Sequence, residues 1–220
     1  IWLNKFRDKN IETIPFQASN CAYKANWKTD FISKHKGGFI KNIEIHCENK
    51  SKKGELVITE FGLEGGAIYA LSPEIRKQLN TSKKALIYID LKPMFSINEI
   101  EKKLFSSPGN KSLRKHLKDQ LNLSNLEIGL IKHQLSKQEY LDLKSLSKNI
   151  KQLPITITDF APIDEAISTV GGISLSEVDE NFEFLKLSKN YVIGEMLDWD
   201  APTGGYLLQA STSMGVYLAE

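Results

Sequence analysis

The sequence predicts an α+β fold: a β-rich domain interrupted by a small helical one, then a glycine-punctuated C-terminal unit. Three observations carry this reading. Alternating segments rich in β-branched residues dominate residues 1–95 and return once at 153–160. Residues 96–151 switch to a helical apolar period with Ser-x-x-Glu starts. From residue 169 onward, Gly-Gly pairs break the chain before a last apolar run.

Taken in order, "ETIPFQ" near the start reads as a short strand. "KNIEIHCEN" alternates, with Ile43, Ile45 and Cys47 on one side and Glu44, His46 and Glu48 on the other. "GELVITEFG" follows a Lys-Ser-Lys-Lys-Gly turn and completes a hairpin over residues 42–61. "LSPEIRKQLN" is a helix with Ser72 as N-cap and Pro73 at the first position. "ALIYIDL" is a strand closed by Lys92-Pro93. About four helices then follow. Ser96 with Glu99 opens the first, "NKSLRKHLKDQLN" and "SNLEIGLIKHQL" supply two more, and Ser136 with Glu139 opens "SKQEYLDLKSLSKNIKQL". "LPITITDF" returns to strand and needs the earlier strands as pairing partners. A short strand at 191–193 runs into Gly194, and residues 206–219 form an apolar helix studded with small residues. A helix apolar nearly all round is expected to be buried. The domains are therefore 1–95 plus 152–168, 96–151 inserted within it, and 169–220.

Composition narrows the function. The 220 residues are 41% hydrophobic and 25% charged, which is ordinary for a globular protein, and no apolar run reaches the length of a membrane helix. No secretion leader is visible, and Cys21 and Cys47 fit reduced thiols in the cytoplasm. Neither cysteine has a histidine at ligand spacing, so no metal site is expected. Charge is uneven: residues 96–151 carry 11 Lys/Arg against 6 Asp/Glu, and residues 152–220 carry 2 against 11. The basic stretch admits a non-catalytic protein- or RNA-binding module as the alternative function. The lysines interleave with acids at helical spacing, however, which reads as a solvated helical face rather than a nucleic-acid surface.

The chemistry concentrates in "GEMLDWDAPTGGYLLQA", residues 194–210. Thr203 reads as an N-cap with Gly204 and Gly205 in the first helical turn. Bare backbone N–H groups at such a terminus, reinforced by the helix dipole, attract a phosphate or an electron-rich oxygen. Upstream, "VIGE" reads as strand, glycine, acid. On spacing alone, an ordinary strand–loop–helix with a Gly-Gly turn accounts for the same residues.

"TVGGIS" with "EVDE", then "YVIGEMLDWDAPTGGYLLQA", resembles the C-terminal signature of a bacterial family of FAD-dependent flavoproteins. These are NAD(P)/FAD-dependent oxidoreductases, a group that includes aminoacetone oxidase and a bile-acid reductase. "GLEGGAIYALS" and "NCAYKANW" are similar to further stretches of that family. The resemblance covers essentially the whole chain. It implies a β-barrel-like insert domain, a helical insert, and the C-terminal segment of a split Rossmann-like FAD-binding domain. No G-x-G-x-x-G occurs in these residues, so the chain is expected to lack the N-terminal nucleotide half and to bind FAD weakly or not at all alone. In the resembling pattern Thr169, Gly171 and Gly172 lie by the flavin ring. Gly194 and Glu195 face pyrophosphate and ribitol, and Asp198 accepts from a hydroxyl. Thr203, Gly204, Gly205 and Tyr206 cap the ring's pyrimidine end. Glu64, Gly65, Gly66 and Tyr69 border the pocket of a small-molecule substrate, and the flavin is reoxidised by oxygen or coupled to NAD(P)H. No residue identifies itself as general acid or base, and oligomeric state is not legible.

Overall fold

The computed structural model describes residues 2–106 and 112–220. In chain order its elements begin with α1 (Trp2–Arg7), β1 (Thr13–Ala18), β2 (Tyr23–Ala25), α2 (Thr29–His35), β3 (Phe39–Cys47), β4 (Lys50–Ile58) and β5 (Gly62–Glu64). Next come α3 (Gly66–Tyr69), α4 (Ser72–Ser82), β6 (Ala85–Asp90), α5 (Ile97–Leu104), α6 (Leu113–Leu121) and α7 (Asn125–Gln134). The rest are α8 (Lys137–Leu141), α9 (Leu143–Lys151), β7 (Leu153–Phe160), β8 (Thr169–Ile173), β9 (Glu183–Phe184), β10 (Leu187–Tyr191) and α10 (Tyr206–Ala219). The chain divides into two compact units, Ala22–Phe160 and Ile1–Cys21 with Ala161–Glu220.

The first unit is a closed six-stranded barrel with helices. The strand order is β2-β5-β4-β3-β6-β7, with every neighbouring pair antiparallel, and β7 pairs back onto β2 to close it. Closure leaves no edge strand open to another chain. The alternation seen in sequence sets the inside: Ile43, Ile45, Ile87, Ile89, Ile155 and Ile157 are fully buried, while Leu86 and Tyr88 between them face out. β3 and β4 are joined at Glu48-Asn49, not through the expected Lys-Ser-Lys-Lys-Gly turn. Glu48 takes the left-handed conformation at φ 52°, and Lys50–Lys53 are drawn into β4, where Lys53 stands opposite Glu44. Ser72 is the first residue of α4 rather than its cap; Leu71 holds the N-cap position.

Helix starts follow the sequence closely. Ser96, Ser124 and Ser136 each close a capping box with the glutamate three residues on. The last expected helix is two. Asp142 leaves helical geometry at ψ 106° and its carboxylate accepts from the N–H groups of Lys144 and Ser145, which ends α8 and starts α9. Residues 110 and 111 of the "NKS" start lie outside the described residues. α7 and α9 pack against β7. His116 is buried with its Nε2 3.1 Å from the Leu104 carbonyl, a satisfied core histidine.

Two lysines are structural, and one of them, Lys151, belongs to the basic stretch 96–151. Lys151, at the end of α9, pairs with the buried Asp90 at 2.5 Å and donates to the Phe95 carbonyl at 2.7 Å. Lys92 pairs with the buried Glu127 at 2.9 Å. A second tie joins α2 to α7. The Phe31 ring stacks on His133 at 4.9 Å and meets His35 at 5.0 Å, and His35 fits only because residue 129 is glycine, whose added Cβ would lie 2.5 Å from its Nε2.

The second unit is built on β1 and β8, which pair antiparallel, with a small β9–β10 hairpin beside them. Its core is Ile11, Ile173, Phe184, Val192 and Leu197, flanked by Trp2, Phe6, Trp199 and Met214. Residues 2–21 thus belong with the C-terminal segment, and not with the β-rich domain as the sequence reading has it, because the ladder partner of β1 is β8. The strand expected at 191–193 lies earlier, as β10.

Two outcomes follow. Replacing Lys151 by Met strands the Asp90 carboxylate in the core and should cost about 3–5 kcal/mol in urea unfolding of the barrel unit. The second concerns pH. Burial, aided by Lys34 for His35 and by Lys28 for His133, holds both imidazoles below their ordinary value of 6.5. The folded state therefore favours the neutral ring, so its stability is full above pH 6.5 and is lost as pH falls below it. Melting temperature should drop between pH 7.5 and pH 5.5, and replacing both histidines by Gln should flatten that slope.

Candidate functional site

The residues singled out in sequence fall into both units. Glu64, Gly65, Gly66 and Tyr69 belong to the barrel unit, where β5 turns into α3. Gly65 sits at φ 117° with its missing Cβ directed at the Glu55 carbonyl, so glycine is required there by the backbone. Gly66 is exposed with open space around it. Thr169 through Tyr206 all belong to the second unit.

Gly171 and Gly172 have a packing reason that the sequence could not show. A Cβ on Gly171 would lie 2.5 Å from the Pro15 carbonyl oxygen, and one on Gly172 would lie 2.4 Å from that of Met196. Both take positive φ, 104° and 137°. These glycines let β8 press between β1 and the segment after β10. Gly194, at φ 65°, opens a short 3₁₀ turn, Gly194–Met196. Its N–H faces the Met214 sulfur at 3.3 Å, and its carbonyl accepts from the Trp199 indole at 2.7 Å. Glu195 is exposed. Asp198 is tied down at both ends. Its carboxylate accepts from the Gly171 N–H at 3.0 Å, and its own N–H donates to the Ile173 carbonyl at 2.7 Å.

The mouth of α10 differs from its sequence reading. Thr203 does not cap the helix. Gly204 and Gly205 take φ 115° and 89°, which no helical turn accommodates, so α10 starts only at Tyr206 and Gly205 itself is the N-cap, with no side chain capping it. The first bond of the helix runs from the Gln209 N–H to the Gly205 carbonyl at 2.9 Å. The amides of Tyr206, Leu207 and Leu208 therefore lie before the ladder begins. Nothing stands within 4 Å of where a Gly205 Cβ would be, and only the Tyr206 ring borders that of Gly204. The result is three bare amides on a 14-residue helix, behind two residues with no side chain.

α10 is also the element whose burial the sequence misjudged. None of its residues is buried, and Tyr206, Leu208, Val216 and Tyr217 are 62%, 74%, 56% and 54% exposed. Within this unit α10 meets the core through Met214 near Gly194 and through Tyr217, whose ring lies 6.0 Å from that of Phe182, while Tyr206, Leu208 and Val216 stay more than half exposed.

Sequence reasoning gave no role to the polar residues beneath the mouth, although Asn20 opens the family-like stretch "NCAYKANW". Ser19 and Asn20, just past β1, are 1% and 3% exposed. The Asn20 amide donates to Ser168 Oγ and to the Ala201 carbonyl, both at 2.7 Å, and Ser19 Oγ donates to the Asp200 carboxylate. The available signal was a Ser-Asn pair wedged between an apolar strand and a buried cysteine, where polar side chains need partners.

A family model for the HI0933-like protein barrel and H2TH domain matches residues 17–168. The chain belongs to this family. The match spans the closed barrel and its inserted helices, and the family is one of FAD-dependent oxidoreductases. A curated relative, the 3-dehydro-bile acid delta(4,6)-reductase of Clostridium scindens, is 27% identical over 180 residues, covering 76% of this chain and 43% of the reductase. The chain thus spans less than half the length of that relative. Among the described residues, no helix is long and apolar enough to cross a membrane.

The two glycine pairs of this unit separate under mutation. Gly171→Ala and Gly172→Ala each force a Cβ into a carbonyl oxygen and should cost about 3 kcal/mol or more in denaturant unfolding of this unit. Gly205→Ala meets open space and should lose only the left-handed backbone cost of about 1–2 kcal/mol.

Proposed function

We propose that this chain is part of an FAD-dependent oxidoreductase that moves hydride between a small organic substrate and flavin, and that it lacks the N-terminal nucleotide-binding half. The observation that carries the reading is the mouth of α10: three amides outside the helical ladder, fronted by Gly204 and Gly205 with open space beside them. That donor set suits the electron-rich pyrimidine edge of a flavin, and the missing side chains suit the close approach of a flat ring. When bound, FAD supplies the hydride chemistry itself.

In this reading the chain's own residues bind and orient. The amides of Tyr206–Leu208, backed by the dipole of α10, draw electron density at the pyrimidine edge toward the protein and favour the reduced cofactor. Thr169, Gly171 and Gly172 give a smooth strand by the ring. Gly194 allows close passage of the pyrophosphate, and exposed Glu195 is placed to accept from a ribitol hydroxyl. Asp198 contributes by holding Gly171. Glu64, Gly65, Gly66 and Tyr69 border the substrate pocket. The exposed apolar face of α10 is where the nucleotide-binding half packs, a reading supported by the length of the relative outside the matched segment. NAD(P)H as electron donor and a cytoplasmic setting complete the proposal. The alternative, a nucleic-acid- or protein-binding module, loses weight because Lys151 of the basic stretch is spent on an ion pair with the buried Asp90.

The complete gene product should purify with a flavin absorption spectrum. Changing Gly204 and Gly205 to Val should weaken FAD binding by at least about tenfold, equivalent to about 1.4 kcal/mol. Flavin retained at full affinity by that variant would contradict the assignment.

A further inference from the structure

Two adjacent glycines are a poor support for a binding surface, because glycine has the most conformational freedom to lose when it is held still. The mouth of α10 must therefore be fixed from either side. Downstream, α10 itself fixes it. Upstream, the last anchored residue before Gly204 is Ala201, and the group holding its carbonyl is the side chain of Asn20 at 2.7 Å.

Asn20 is arranged as a strut. Its backbone is locked to the segment leading into β8: Ser19 N–H donates to the Ser168 carbonyl at 2.9 Å, and Ile167 N–H donates to the Asn20 carbonyl at 2.8 Å. Its amide spends one proton on Ser168 Oγ and the other on Ala201, so both donors are satisfied at 3% exposure. Next to it, Ser19 holds the exposed Asp200 carboxylate. Asp198, fixed to Gly171 and Ile173, completes the row. Three of the four residues from 198 to 201 are thus held by β8 or by the residues just past β1, and only Pro202 and Thr203 separate them from the glycines.

We propose that Asn20, seconded by Ser19 through Asp200, is a positioning residue for the cofactor: it fixes the 198–203 loop so that the bare amides of α10 stand at one distance from the bound ring. This rests on the flavin reading of the α10 mouth. A solely structural hydrogen bond would support the fold without changing what the helix mouth does to its ligand. A strut under the mouth changes both affinity and redox behaviour, because the electrostatic effect of the amides depends on their distance from the ring.

The test uses the complete gene product, with FAD titrated onto apoprotein and the flavin midpoint potential measured. Asn20→Asp keeps shape and removes both donors, Asp200→Ala severs the exposed Ser19 tie, Ser168→Ala leaves the Asn20–Ala201 bond intact, and Gly205→Val reports on the mouth itself. Asn20→Asp should weaken FAD by about tenfold or more and lower the potential; Asp200→Ala should do the same in smaller measure, about threefold, and Ser168→Ala should stay within about twofold. If Asn20→Asp and Asp200→Ala match the unmodified protein in affinity and potential while Gly205→Val loses flavin, the strut is overturned and the mouth assignment stands. If Gly205→Val also binds normally, the mouth assignment fails and the strut with it. Should Asn20→Asp not fold, Asp200→Ala decides: a lowered affinity and potential support the strut, and unaltered values overturn it.

Discussion

The antiparallel pairing of β1 with β8 is the contact on which the second unit depends. It joins residues more than 150 positions apart, Thr13 with Ile173 and Ala18 with Thr169, across the whole barrel unit. The approach is close enough that Gly171 and Gly172 leave no room for a Cβ against Pro15 and Met196. That closeness lets Asp198 reach the Gly171 amide and brings Asn20 under Ala201. The barrel can be inserted between residues 21 and 161 because its own ladder closes on itself through β2 and β7 and asks nothing of the flanking chain. The strand ladders of each unit pair within that unit, which is what allows one to interrupt the other in sequence.

Much of this was legible. The barrel strands were visible because a one-sided core imposes strict alternation, and Ile43-Glu44-Ile45 or Ile87-Tyr88-Ile89 can be read without a structure. The helix starts were visible because a capping box is a local device whose two residues lie three apart. What escaped was nonlocal or conformational. The split at Asp142 depends on one aspartate leaving helical geometry, within a pattern whose apolar period runs through it. The membership of residues 2–21 in the C-terminal unit depends on a partner strand at the other end of the chain. The start of α10 was misplaced by two residues because glycine is compatible with a first helical turn and with a left-handed approach to one, and only the φ values of Gly204 and Gly205 decide.

The site was legible to the same degree. The glycines were found, but the family resemblance attributes them all to a ligand, whereas Gly171 and Gly172 are already required by backbone contact and Gly204 and Gly205 are not. That difference strengthens the case for the second pair. A residue that could be larger at no packing cost, in a conformation that costs other residues about 1–2 kcal/mol, points to something outside the described fold. The unburied apolar surface of α10 points the same way, since Leu208 and Val216 exposed to water are unfavourable in proportion to their area.

Hydrogen exchange at the α10 mouth of the complete gene product tests the central claim most directly. The amides of Tyr206, Leu207 and Leu208 should exchange freely in apoprotein and become protected when FAD is added, while Gln209 onward changes little. Exchange at those three amides unaltered by saturating FAD would contradict the account.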